Sequence, residues 1–172
     1  MIKTINLGER EESIKALEIL KGDEGANRDI QITNSHIMDL NQLVKRKIFR
    51  NSLLYIDSQT LYDIMQPTGE SDSSHNYHEL NPEDVYMALT SIKDPQYVFI
   101  AKYHNRYATI SVELSHFKLP LMIVIETKAK IISNWEVVAN KVVTIYPKDH
   151  IDAYIEKLDQ RLLLYKKENE SR

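Results

Sequence analysis

The chain changes texture at Pro95. Before it, apolar residues recur at the three-to-four spacing of amphipathic helices; after it come short runs of Val, Ile, Thr and aromatics that read as strands. Residues 9–21 carry Ile14, Leu17, Ile19 and Leu20 and stop at Gly22, and residues 36–49 follow a capping Ser35 with Ile37, Leu40, Leu43, Val44 and Ile48 on one side. A third helix opens at Asp57 or Ser58 and runs to Met65. A fourth starts at Asn81-Pro82-Glu83-Asp84, where a cap, a first-position proline and two acids meet the positive end of the dipole. Residues 30–32 and 53–56 are brief extended pieces among these helices. Beyond Pro95, residues 97–100, 107–114, 121–127 and 141–146 are expected as strands and residues 149–167 as a closing amphipathic helix. Residues 131–138, with Trp135, fit either a fifth strand or a loop.

Helices first and a strand meander afterwards predict an α+β fold. N-terminal helices would pack on one face of a four- to five-stranded antiparallel sheet, with an added C-terminal helix and the other face left free. At 172 residues, one domain with its own core is expected, residues 1–50 being a helical extension on the main unit 51–172. The absence of cysteine excludes disulfides, thiolate metal sites and a cysteine nucleophile, and fits a cytoplasmic protein. No apolar run is long enough to span a bilayer, so no membrane partner is expected.

Several chemistries are excluded by what is missing. There is no Walker-type or GxGxxG phosphate loop, no His-Glu-x-x-His and no GxSxG elbow. His75 and His78 have a spacing that metals use, but no third ligand supports them, so no metal site and no cofactor are expected. Acid–base chemistry by histidine, tyrosine, carboxylate and lysine remains. The net charge of −3 gives no global attraction to nucleic acid. Residues 96–150 nevertheless hold seven cations against four carboxylates, and Lys45-Arg46-Lys47 with Arg50 is a second basic spot.

Three stretches share one further feature, their order. His75-Asn-Tyr-His78 precedes Leu-Asn-Pro-Glu, a helix and then Asp94-Pro95 before a strand. Pro120-Leu-Met-Ile-Val-Ile-Glu126 follows, and Asn140-Lys-Val-Val-Thr144-Ile-Tyr146-Pro-Lys148 closes the series. This arrangement resembles the C-terminal domains of MuF-type phage head proteins and related barnase/EndoU/colicin/RelE-like nucleases, over residues 52–149. The resemblance implies a nuclease-type domain at 51–172 and a metal-independent endoribonuclease, toxin-like or phage-encoded. Such a hydrolase cuts RNA by 2′-OH attack to a 2′,3′-cyclic phosphate.

Under that reading His78 is the first acid/base candidate and His75 the substitute. Thr144 and Tyr146, two apart on a strand, share a face and would hold the phosphate. Glu126 is a further candidate base, with Glu113 behind it. Lys102, Arg106, Lys141 and Lys148 are the candidate RNA or phosphate contacts, and Tyr77, Tyr103 and Tyr107 could stack bases. RNA is the expected partner, with an immunity or antitoxin protein beside it. The competing expectation is a binding module, RNA-binding or regulatory in a phage or mobile element, that keeps the nuclease fold without catalysis. Ordinary surface and core roles compete with each of these assignments: a cap for His78, exposed hairpin charges for Lys102 and Arg106.

Overall fold

A computed structural model describes residues 1–25, 27–70, 77–130 and 138–168. In chain order the elements are β1 (Thr4–Asn6), α1 (Arg10–Lys21), β2 (Asp29–Thr33), α2 (Asp39–Val44), β3 (Leu54–Asp57) and α3 (Ser58–Ile64). There follow α4 (Pro82–Thr90), β4 (Tyr97–Ile100), β5 (Arg106–Leu114), β6 (Pro120–Lys130), β7 (Val138–Pro147), α5 (Ile151–Lys157) and β8 (Leu163–Lys166). Among the described residues the strands form one eight-stranded sheet in the order β1-β2-β3-β7-β6-β5-β4-β8. The β1–β2 and β3–β7 pairs are parallel and the others antiparallel.

The antiparallel sheet of four to five strands beneath N-terminal helices is therefore overturned: the sheet is mixed and has eight strands. Strands β4 to β7 do follow one another as an antiparallel meander, at about the positions their composition predicts. What composition missed lies on either side. The first fifty residues contribute β1 and β2 as well as α1 and α2, and β2 pairs with β3 across residue 50. The helix expected over 36–49 shrinks to the six residues of α2. Lys45 ends it in the left-handed region, and the Asn41 side chain then bonds the backbone of Ile48 and Phe49, closing a loop instead of a further turn. The C-terminal helix stops at Lys157. Leu158 is extended, Asp159 and Arg161 make a turn, and Leu163–Lys166 pairs with β4. Residues 131–137, including Trp135, lie outside the described residues.

Alternation along the strands builds two apolar layers. Leu121, Ile123 and Ile125 of β6 join Ile30, Ile32, Leu54, Ile56 and Val142 on the inner face, beneath α1, α2, α3 and α4. Met122, Ala108, Ile110, Tyr97 and Phe99 point the other way and are covered by Ile151 and Ile155 of α5. The outer face is thus covered over β4–β6 rather than left free. Across β2, β3 and β7 it carries polar side chains, among them Asp29, Tyr55, Asp57, Lys141 and Thr144, none of them fully exposed. No helix among the described residues is long and apolar enough to cross a membrane.

Candidate active site

The site arises because β3 is shorter than β7. Leu54–Ile56 pairs with Asn140–Val142, and β7 continues to Pro147 beyond the end of β3. Asp57 turns the chain into α3 by accepting the Gln59 N–H at 2.7 Å, so α3 takes up the space beside the rest of β7. The chain then returns along the end of α3, where Glu79 N–H donates to the Gln66 carbonyl and Leu80 N–H to that of Ile64. Asn81 opens α4 with a capping box: its side chain accepts the Asp84 N–H, and Asp84 accepts the Asn81 N–H. His78 directly precedes these two anchors.

One register shift in β7 completes the arrangement. Val124 faces Thr144 while Ile125 faces Val142, so Val143 is an extra residue and the strand bulges there. Thr144 and Tyr146 consequently share the outer face. The His78 Nε2 lies 3.4 Å from the Thr144 hydroxyl oxygen, and the His78 ring sits 5.5 Å from that of Tyr146 at 32°. Burial pulls the His78 pKa below its ordinary value, and the nearby Asp63 carboxylate opposes this. The imidazole is therefore neutral at pH 7, with a ring nitrogen able to take a proton. Tyr146 is a weaker acid than usual because of burial first and the neighbouring Tyr154 second, and its hydroxyl donates to the Met122 sulfur at 2.8 Å.

The other candidates divide. Lys141 sits on the same face but its ammonium lies 3.7 Å from Asp29 and 3.9 Å from Asp57, whose side chains are buried or nearly so. Burial raises the Asp57 pKa, against the Gln59 N–H and Lys141, so this lysine is spent on balancing acids rather than offered to a phosphate. Glu126 meets Arg106 at 3.5 Å across the β5–β6 pair, both about one-third exposed. Arg106 and Lys102 also lie over the Tyr103 ring, at 5.2 and 5.7 Å. The Lys148 ammonium lies 4.5 Å over Tyr154. The structure thus brings His78, Thr144 and Tyr146 together and gathers Lys102, Arg106 and Glu126 separately; His75 lies outside the described residues. Tyr107 packs against Phe49 in the core and Tyr77 meets Tyr62 edge-on.

One pair gave no sign of itself in the sequence. The buried Asp84 carboxylate accepts the His116 N–H at 2.9 Å and also engages His116 Nδ1. The capping role of Asp84 is visible in Asn81-Pro82-Glu83-Asp84, but nothing local marks its partner 32 residues later. Among the described residues, no three His, Cys, Asp or Glu side chains come close enough to hold a metal ion. No family model, curated protein or solved structure matches the chain.

Proposed function

We propose that the protein is an endoribonuclease that works without a metal ion, with His78 as its base. The observation that carries this reading is the convergence of a neutral, half-buried imidazole with a strand hydroxyl, Thr144, from a segment 66 residues away. His78 takes the proton of a ribose 2′-OH, the 2′ oxygen attacks the adjacent phosphorus, and the 5′ oxygen leaves with a proton from water. A 2′,3′-cyclic phosphate and a free 5′-hydroxyl result. Thr144 donates to a phosphate oxygen and Lys148, just past the end of β7, supplies positive charge. The barnase/EndoU/RelE-like motif order supports the same chemistry, and with it a phage-encoded or toxin-like setting and an immunity partner.

The test is labelled mixed-sequence RNA incubated with the protein in EDTA, followed by analysis of the new ends. Cyclic phosphates are expected, with the rate falling about 100- to 10,000-fold in His78→Ala. Intact RNA, or equal cleavage by His78→Ala, would falsify the reading. A second reading, an RNA-binding module without catalysis, is favoured by two contacts: the Tyr146 hydroxyl is committed to Met122, and Lys141 to two carboxylates. It is distinguished by RNA that binds but stays whole.

A further inference from the structure

We propose that the cleft between the β4–β5 turn and α5 is a track for single-stranded RNA; its substrate class rests on the ribonuclease reading above. Unpaired bases stack on Tyr103 and Tyr154, and Lys102, Arg106 and Lys148 hold the phosphates between them. The cleft has a volume of about 750 Å³ and is lined by Lys102, Tyr103, Arg106, Tyr154 and the apolar Leu158 and Leu162. Two large rings are presented to water there, Tyr103 at 61% exposure and Tyr154 at 38%. Each has a cation over its face, and Tyr154 also meets Phe99 at 5.7 Å, so a base stacks as the cation moves off the ring onto a phosphate. Exposed aromatic faces next to cations are what sequence-tolerant binding of a single strand requires, since every base has a π-face and every linkage a charge.

The track leads to the proposed base. His78 lies on Tyr146, Tyr146 neighbours Tyr154, Lys148 covers Tyr154, and Tyr154 lines the cleft with Tyr103. By strand rise and spacing, Arg106 is about 16 Å from Tyr146, a few nucleotides along an extended strand. Two of the acids nearby are already engaged. Glu126 shares Arg106 at a part-exposed site where a phosphate can compete, Asp152 accepts the Tyr97 hydroxyl, and Glu156 lies toward Tyr97 rather than in the cleft lining. A duplex keeps its bases stacked on one another and offers none to these rings.

The test uses fluorescein-labelled oligodeoxythymidine of about twelve nucleotides, a strand that offers bases and phosphates but no 2′-OH to attack. Anisotropy should show binding at least tenfold tighter than to a duplex of the same length. Tyr103→Ala should weaken it five- to a hundredfold. The Lys102→Ala/Arg106→Ala double variant should weaken it and flatten the salt dependence by between one and two charges. Equal affinity for the duplex, no binding, or wild-type affinity in Tyr103→Ala overturns the track. If the oligonucleotide binds as described while RNA stays whole, the track stands and the ribonuclease reading falls. If RNA is cut at the same rate by wild type and Tyr103→Ala, the ribonuclease stands and the track falls.

Discussion

A histidine that loses water on folding holds its proton less tightly, and His78 is in that position. Two consequences follow with definite sign. The base form predominates at pH 7, so on the ribonuclease reading the acid limb of kcat/KM on RNA should be centred below 6.5; a limb centred above 6.5 would contradict the burial of the ring. Stability follows the same group. Below pH 6.5 the unfolded chain takes a proton that the folded chain refuses, so this histidine's contribution declines as pH falls from 6.5 toward the folded value and then levels off. Wild type minus His78→Gln, compared by urea unfolding at about pH 7 and about pH 5.5, should show the difference. Asp84 makes a separate case. It closes the capping box and receives both His116 contacts from a buried position, so Asp84→Ala should cost about 2–3 kcal/mol in the same assay.

At the level of elements, β7 depends on a side chain that belongs to neither ladder. Asn140 is buried and its amide donates to the carbonyls of Asn51 and Leu53, tying the lead-in of β3 to β7. Asn140→Ala should lower the urea midpoint by the equivalent of about 1–3 kcal/mol. Because the seating of β3 sets where α3 begins, RNA cleavage should fall more than the lost stability alone predicts. The helices and strands that bury one face were legible from periodicity: residues 14, 17 and 20 of α1, the cap of α4, and the β-branched runs of β4 to β7. The misread elements were those whose partner decides their form. Leu162-Leu163-Leu164-Tyr165 suits a helix or a strand equally well, and only the open edge of β4 makes it a strand. Thr4-Ile5-Asn6 is too short to announce itself and exists through its parallel pairing with β2. Within the site, Thr144 and Tyr146 were legible as a same-face pair, whereas the bulge at Val143 and the commitment of Lys141 to Asp29 and Asp57 were not. The bulge is set by the local register of β6 against β7, which composition does not show, and the Lys141 contacts join segments far apart in the chain.

Considered whole, the molecule is acidic overall and keeps its positive charge local, so any attraction for RNA depends on where the cations are free. Lys141 is not free. Replacing it with Met should leave two buried carboxylates without their counter-charge and cost about 3–5 kcal/mol at pH 7. The loss should shrink toward about pH 4, since Asp57 already takes up its proton more readily than usual and protonation removes the repulsion. If stability is unchanged, the two aspartates are balanced by something other than this lysine.

The pairing of β3 with a strand more than eighty residues further along the chain also sets an order of events during synthesis. His78 emerges from the ribosome well before Thr144 and Tyr146, and the gap beside α3 stays unfilled until β7 arrives. A nascent chain halted at residue 137 carries the imidazole without its hydroxyl neighbours. The producing ribosome, itself made of RNA, would be exposed to an assembled site only after most of the polypeptide has been made.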